Sequence, residues 1–258
     1  MDEQAKFAAE RALAIAASVD DVAFGTLSRD WLQQSMARRY VYNFDWLGRP
    51  IIQYPQDMVA VQELIWQVRP DVVVETGIAH GGSLVLSASV LAMLDYGDAV
   101  ADGTVLDPAQ PKRRVVGVDI DIRSHNRAAI EAHAMASRIT MIEGSSVDPD
   151  TVAAVRIAVG DACKVLVFLD SMHTHDHVMA ELDAYAALVS PGSYCVVFDT
   201  FVEDMPPAFF ADRPWDVGNN PMTAVNAWLP AHPDFTVDKA WDHKLMVTVA
   251  RNGFLRRD

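Results

Sequence analysis

The chain has 258 residues and a net charge of -14, from 35 acidic and 21 basic residues. That charge argues against nucleic acid and anionic membrane surfaces as partners, since neither would gain from counterion release. Hydrophobic residues make up 51%, as in an ordinary globular chain, and no uninterrupted apolar run reaches the length of a membrane span.

Residues 1–56 read as a helical and aromatic cap, and residues 57–258 as the main domain. MDEQAKFAAERALAIAAS is charged on both sides of an Ala-rich stretch, which fits an amphipathic surface helix and not a secretion signal. Tyr40, Tyr42, Phe44 and Trp46 follow in a loop. Strand and helix signals then alternate: strand 71–75, helix 81–94, strand 114–119, helix 125–136, strand 139–142 and helix 148–158. Strand 164–169, helix 175–189, strand 193–198, helix 221–230 and strands 234–238 and 244–250 complete the series. Short β-branched runs between helices predict a doubly wound, mainly parallel α/β sheet with buried strands. The link 239–243 is too short for a parallel crossover, so the last two strands are expected to pair antiparallel.

Two segments interrupt the repeat. Residues 96–113 are a Gly/Asp/Pro insertion. Residues 199–220, rich in Pro and aromatics, have the length of a lid or binding loop. Cys163 and Cys195 read as reduced core thiols of a cytosolic protein.

The stretch DVVVETGIAHGGS (71–83) carries the most chemistry. A strand that turns through Gly77 into a helix start offers free N–H groups to a nucleotide-like ligand. No Lys precedes Ser83, so the Walker pattern is absent, and Gly77, Gly81 and Gly82 do not fit G-x-G-x-x-G. Glu75 would repel a pyrophosphate. It suits the cationic groups of S-adenosylmethionine, whose ribose fits Asp119 at the end of the second strand. Gly144-Ser145-Ser146 after the third strand can pass close to the adenine.

Asp170 and Asp199 end the fourth and fifth strands and suit a hard cation such as Mg²⁺. His173, three residues past Asp170, is the candidate base. His173-Thr174-His175-Asp176-His177 also approaches the zinc signature of metallo-β-lactamase-type hydrolases, one residue short, while His175 and His177 are expected on a solvated helix turn.

These segments together resemble the cephalosporin hydroxylase/rhamnosyl O-methyltransferase family over roughly residues 40 to 258. The resemblance runs through WLGRPIIQYPQD (46–57), RPDVVVETGIAHGGSL (69–84), VVGVDIDIRSHNR (115–127) and IEGSSVD (142–148). It continues through LDSMHTHDHV (169–178), FDTFVEDMP (198–206) and DRPWDVGNNPMTAV (212–225). It implies a class I methyltransferase fold, S-adenosylmethionine as donor, a divalent metal held by Asp170, and His173 as base. The family pattern has an acidic pair where this chain has Phe198-Asp199, so a water or a lid carboxylate, Glu203 or Asp204, is the candidate replacement ligand.

The expected donor-binding set is Glu75, Thr76, Gly77, Gly81, Ser83, Asp119, Ser145, Ser146 and Asp170. The metal set is Asp170 and Asp199, and the catalytic residue is His173. The expected activity is O-methylation of a sugar or other small molecule by a cytoplasmic homo-oligomer. A donor-binding protein without catalysis and a metal-dependent hydrolase are the rivals.

Overall fold

The computed structural model describes residues 2–258. Helices α1 (Glu3–Asp20) and α2 (Val22–Ala37) begin at Asp2 and Asp21, whose carboxylates accept from Gln4 N and Phe24 N. Such acceptors satisfy N–H groups that a helix start leaves free. Strands β1 (Phe44–Trp46) and β2 (Arg49–Ile51) form an antiparallel hairpin. Its two-residue turn, Leu47-Gly48, has positive φ at both positions, which matches the right-handed twist of the strands.

The hairpin is docked on the main domain. Trp46 Nε1 donates to Ser89 Oγ at 3.0 Å. A Cβ on Gly82 would lie 2.3 Å from the Pro50 carbonyl oxygen, so only glycine permits this approach. Helix α3 (Pro55–Val68) then leads into the sheet.

β3 (Val72–Thr76), β4 (Arg114–Asp119), β5 (Ile139–Glu143), β6 (Val165–Leu169) and β7 (Tyr194–Val197) run parallel. β8 (Phe235–Val237) and β9 (Phe254–Arg257) close the sheet, β9 lying antiparallel to both β7 and β8. The order is β5-β4-β3-β6-β7-β9-β8. Counted from the first strand of this sheet, it reads 3-2-1-4-5-7-6. Between the parallel strands run α4 (Gly82–Asp102), α5 (Ser124–Glu131), α6 (Pro149–Val159) and α7 (His175–Tyr185). α8 (Pro221–Trp228) precedes β8.

Side chains alternate across each strand. Val73 of β3 joins one core with Leu84, Leu91 and Phe168. Val72 and Val74 join the other with Val155, Leu182 and Tyr185. Burial on both faces explains why these strands read as continuous apolar runs. α4 is long and apolar enough to cross a membrane by length and composition, yet 56% of that window is buried within the protein.

Four sequence expectations need correction. The strand expected at 244–250 is absent; Lys239–Leu245 is helix α9, started by Asp238 accepting from Ala240 N, and the pairing strand is β9. Residues 248–249 instead bond to Asp57 and the start of the long loop. α4 runs to Asp102, into the expected insertion, because Asp95 is buried beneath Arg113 and Arg138. The helix expected to reach 136 stops at Glu131. Cys195 is buried as expected, but Cys163 is exposed.

Candidate active site

Between β3 and β6 the winding direction of the sheet reverses, and ligands of open α/β sheets enter there, beyond the strands' carboxyl ends. A cleft of about 720 Å³ opens over this edge. Its floor comes from the loops after β3, β4, β5, β6 and β7. Its walls come from the cap segment, including Tyr42 and Gln53, on one side and from the long loop, including Phe209, Phe210 and Trp215, on the other.

Gly77 sits at φ +90° and a Cβ there would lie 2.0 Å from the Asp170 carbonyl oxygen, so the two central loops touch at a position only glycine can fill. Asp119 Oδ2 accepts from Ile78 N at 2.8 Å and Ala79 N at 3.1 Å, and Oδ1 accepts from Asp121 N at 3.2 Å. Oδ2 is thereby saturated, while Oδ1 keeps a second lone pair for a ligand hydroxyl. Arg49 donates to the His80 carbonyl, and Asn126 to the Ala79 carbonyl, tying the glycine loop to the hairpin and to α5. Neither residue stood out in the sequence.

Of the expected donor-binding set, Gly77, Ser83, Asp119, Ser145, Ser146 and Asp170 line the cleft, whereas Glu75, Thr76 and Gly81 do not. The Glu75 carboxyl is buried and accepts from Ser83 Oγ. Burial pushes it up to about 8, against the opposing pull of that hydrogen bond. Thr76 is fully buried and its carbonyl accepts from Asp170 N at 3.0 Å. Gly81 precedes α4 at φ +83°.

Asp170, His173 and Asp199 come together, with ligand-capable atoms all within 4.8 Å of one another. His173 Nε2 lies 2.9 Å from Asp199 Oδ2, and the Trp215 ring meets the imidazole edge-on at 4.7 Å. Asp199 has left-handed backbone, φ +56°, a conformation Asp tolerates better than most residues. It turns the chain directly out of β7. Burial raises the Asp170 carboxyl well above its usual range, and the Asp199 charge raises it further. Among the described residues no Lys or Arg forms an ion pair with either carboxylate. Two crowded carboxylates without a cationic side chain fit a divalent cation.

The neighbouring histidines stand outside that cluster, although His177 lines the same cleft. His175 Nδ1 is 2.9 Å from Thr223 Oγ1, and His177 Nε2 is 3.0 Å from Ser146 Oγ and 3.1 Å from Ser171 Oγ. Both are partly buried and hydrogen-bonded, not solvated as expected. The hydrolase reading needed them beside His173, and among the described residues the metal-capable cluster contains His173 alone of the three.

Glu203 and Asp204 are also committed, Glu203 to Gly218 N and Asn220, Asp204 to Arg251. Phe198 is buried against Phe168, ring centroids 5.8 Å apart. Gln53 and Ser171 were missed by the sequence reading. The only trace of Gln53 was a single amide between the apolar pairs Ile51-Ile52 and Tyr54-Pro55.

The strand order, the glycine turn at the switch point and the acidic strand ends define a class I S-adenosylmethionine-dependent methyltransferase. The family described as Rhamnosyl O-methyltransferase/CmcI matches residues 38–258, and the chain belongs to it. Rhamnosyl O-methyltransferase of Mycobacterium tuberculosis (strain ATCC 25618 / H37Rv) is 30% identical over 207 residues, 78% of this chain and 73% of that one. The Mycobacterium leprae (strain TN) protein of the same name is 29% identical over 216 residues, 82% of each. CmcI solved with Mg and S-adenosylmethionine shares the fold at a TM-score of 0.55 and 18% identity, over 84% of this chain and 77% of that one.

Proposed function

We propose that the protein methylates a hydroxyl of a sugar or another diol-bearing small molecule, with His173 as base and a divalent cation such as Mg²⁺ held by Asp170 and Asp199. The observation that carries this reading is the Asp170–His173–Asp199 cluster, set on the floor of one cleft with the Gly77 loop and Asp119. S-adenosylmethionine would supply the methyl group, and the cation would make the acceptor hydroxyl more acidic.

The chain's own residues divide the remaining tasks. Asp119, fixed by three backbone N–H groups, accepts a ribose hydroxyl at Oδ1. Ser145 and Ser146 border the adenine end, and Glu75 supplies negative charge behind the glycine loop. Asp199 holds the His173 ring through Nε2, which leaves Nδ1 to take the acceptor proton. Trp215 fixes the ring from its edge. Phe209, Phe210 and Tyr42 line the acceptor side and exclude water, and holding the acceptor oxygen in line with the methyl carbon supplies most of the rate.

Names of the relatives support a sugar acceptor. The same proposal places the protein in the cytoplasm as a homo-oligomer. Free cysteines support the reducing location, and exposed Phe7, Leu13 and Leu27 on the first two helices support the assembly.

The test is turnover of His173→Ala and Asp170→Asn with a sugar panel. His173→Ala loses two to four orders of magnitude in kcat, the usual yield of general base catalysis, with donor affinity unchanged. Asp170→Asn loses the response to added Mg²⁺. Wild-type turnover in both variants would refute the mechanism.

A further inference from the structure

Gln53, in the link between β2 and α3, sits beside the cluster without a complete set of partners. Its side chain is buried, 5% exposed, and Nε2 donates to Asp170 Oδ2 at 3.2 Å. Its carbonyl oxygen Oε1 is buried with no donor at all. An amide oxygen in that state lacks the hydrogen bond that buried acceptors almost always have. Gln53 and the second carboxylate, Asp199, line the same cleft. Phe198, next to Asp199, is turned into the core and brings no oxygen to the site.

We propose that Gln53 is a ligand of the divalent cation, contributing Oε1 as a neutral oxygen beside Asp170 and Asp199. This rests on the cation reading above. The terminal torsion of a Gln side chain is soft and roughly two-fold, so a half-turn exchanges Nε2 for Oε1 at the Asp170 side. Hard cations take amide and carboxylate oxygens alike. A cation bound there draws the unsatisfied oxygen and removes the need for the N–H bond to Asp170. The link after β2 would thereby be fastened to the metal, joining the cap segment to the floor of the cleft.

The test is titration of the whole protein with Mn²⁺, read as free Mn²⁺ by electron paramagnetic resonance, with no donor or acceptor present. Thermal melting without metal reports whether each variant folds. Gln53→Leu keeps the bulk and removes the oxygen, and its Kd is expected to rise at least tenfold. Gln53→Glu adds a carboxylate, and its Kd is expected to fall at least tenfold. Two folded variants within twofold of the wild-type Kd would overturn the assignment while leaving the cation reading intact. No Mn²⁺ binding by the wild type would overturn both.

Discussion

Donor binding should expel a proton from Glu75. Its carboxyl, ordinarily near 4.5, is held at about 8 by burial, so at pH 6.5 it is almost fully neutral in the free protein. A donor bearing an ammonium and a sulfonium favours the ionised form. Binding at pH 6.5 then releases about one proton, and affinity rises about tenfold, ~1.4 kcal/mol, per pH unit between 6 and 7. The assay is calorimetry with S-adenosylmethionine in two buffers of different ionisation enthalpy, with chelator present. Chelation matters because a cation would also favour the ionised form of Asp170, whose carboxyl burial and the Asp199 charge hold well above its usual range. Wild type should release about one proton and Glu75→Gln none, with a flat pH dependence. Equal release by the two proteins, or none from wild type, would refute the role given to Glu75.

Three further outcomes follow from the same geometry. The folded ligand-free protein keeps the Glu75 proton that the unfolded chain loses near pH 4.5, so this contribution to stability is full below that pH. It is lost as pH rises through about 8, with a slope near 1.4 kcal/mol per unit in between, and denaturant midpoints of Glu75→Gln should lack that slope. Gly77→Ala forces a methyl group against the Asp170 carbonyl in left-handed backbone, so its melting temperature should fall by several degrees or more; an unchanged value would remove the case for loop contact. Phe198→Glu places a charge in the core beside Phe168 and should cost several kcal/mol in denaturant titration. A folded variant with tightened Mn²⁺ binding would show instead that position 198 faces the site.

The parallel core of the sheet and its floor were legible because each strand carried its own signal. An apolar run ending in an acid places that acid near the sheet edge, and the parallel register brings Asp119, Asp170 and Asp199 to that edge, with Glu75 two residues further back opposite Gly117 and Phe168. Tertiary partners decided the rest. Val247–Ala250 looks like a strand, but its polar groups go to Asp57 and the 200–201 turn, contacts formed across nearly the whole chain. α4 passes its glycine because Asp95 is anchored by two arginines from other elements. Gln53 and His177 belong to the site through neighbours about 117 and 31 residues away, and neither lies in a local pattern that marks such a partner. Its place three residues past Asp170, and then the resemblance, marked His173 as the candidate base; the 2.9 Å contact with Asp199 is the orientation that proposed role needs.

The central claim is methyl transfer to a hydroxyl at the Asp170–His173–Asp199 cluster. Incubation of the protein with methyl-labelled S-adenosylmethionine, Mg²⁺ and a panel of free and glycosidic sugars tests it most directly, with mass spectrometry of the products. The account predicts a labelled O-methyl ether on at least one sugar, lost with His173→Ala and restored by the wild-type protein. Donor that binds but transfers no label to any hydroxyl, or label transfer undiminished in His173→Ala, would contradict it.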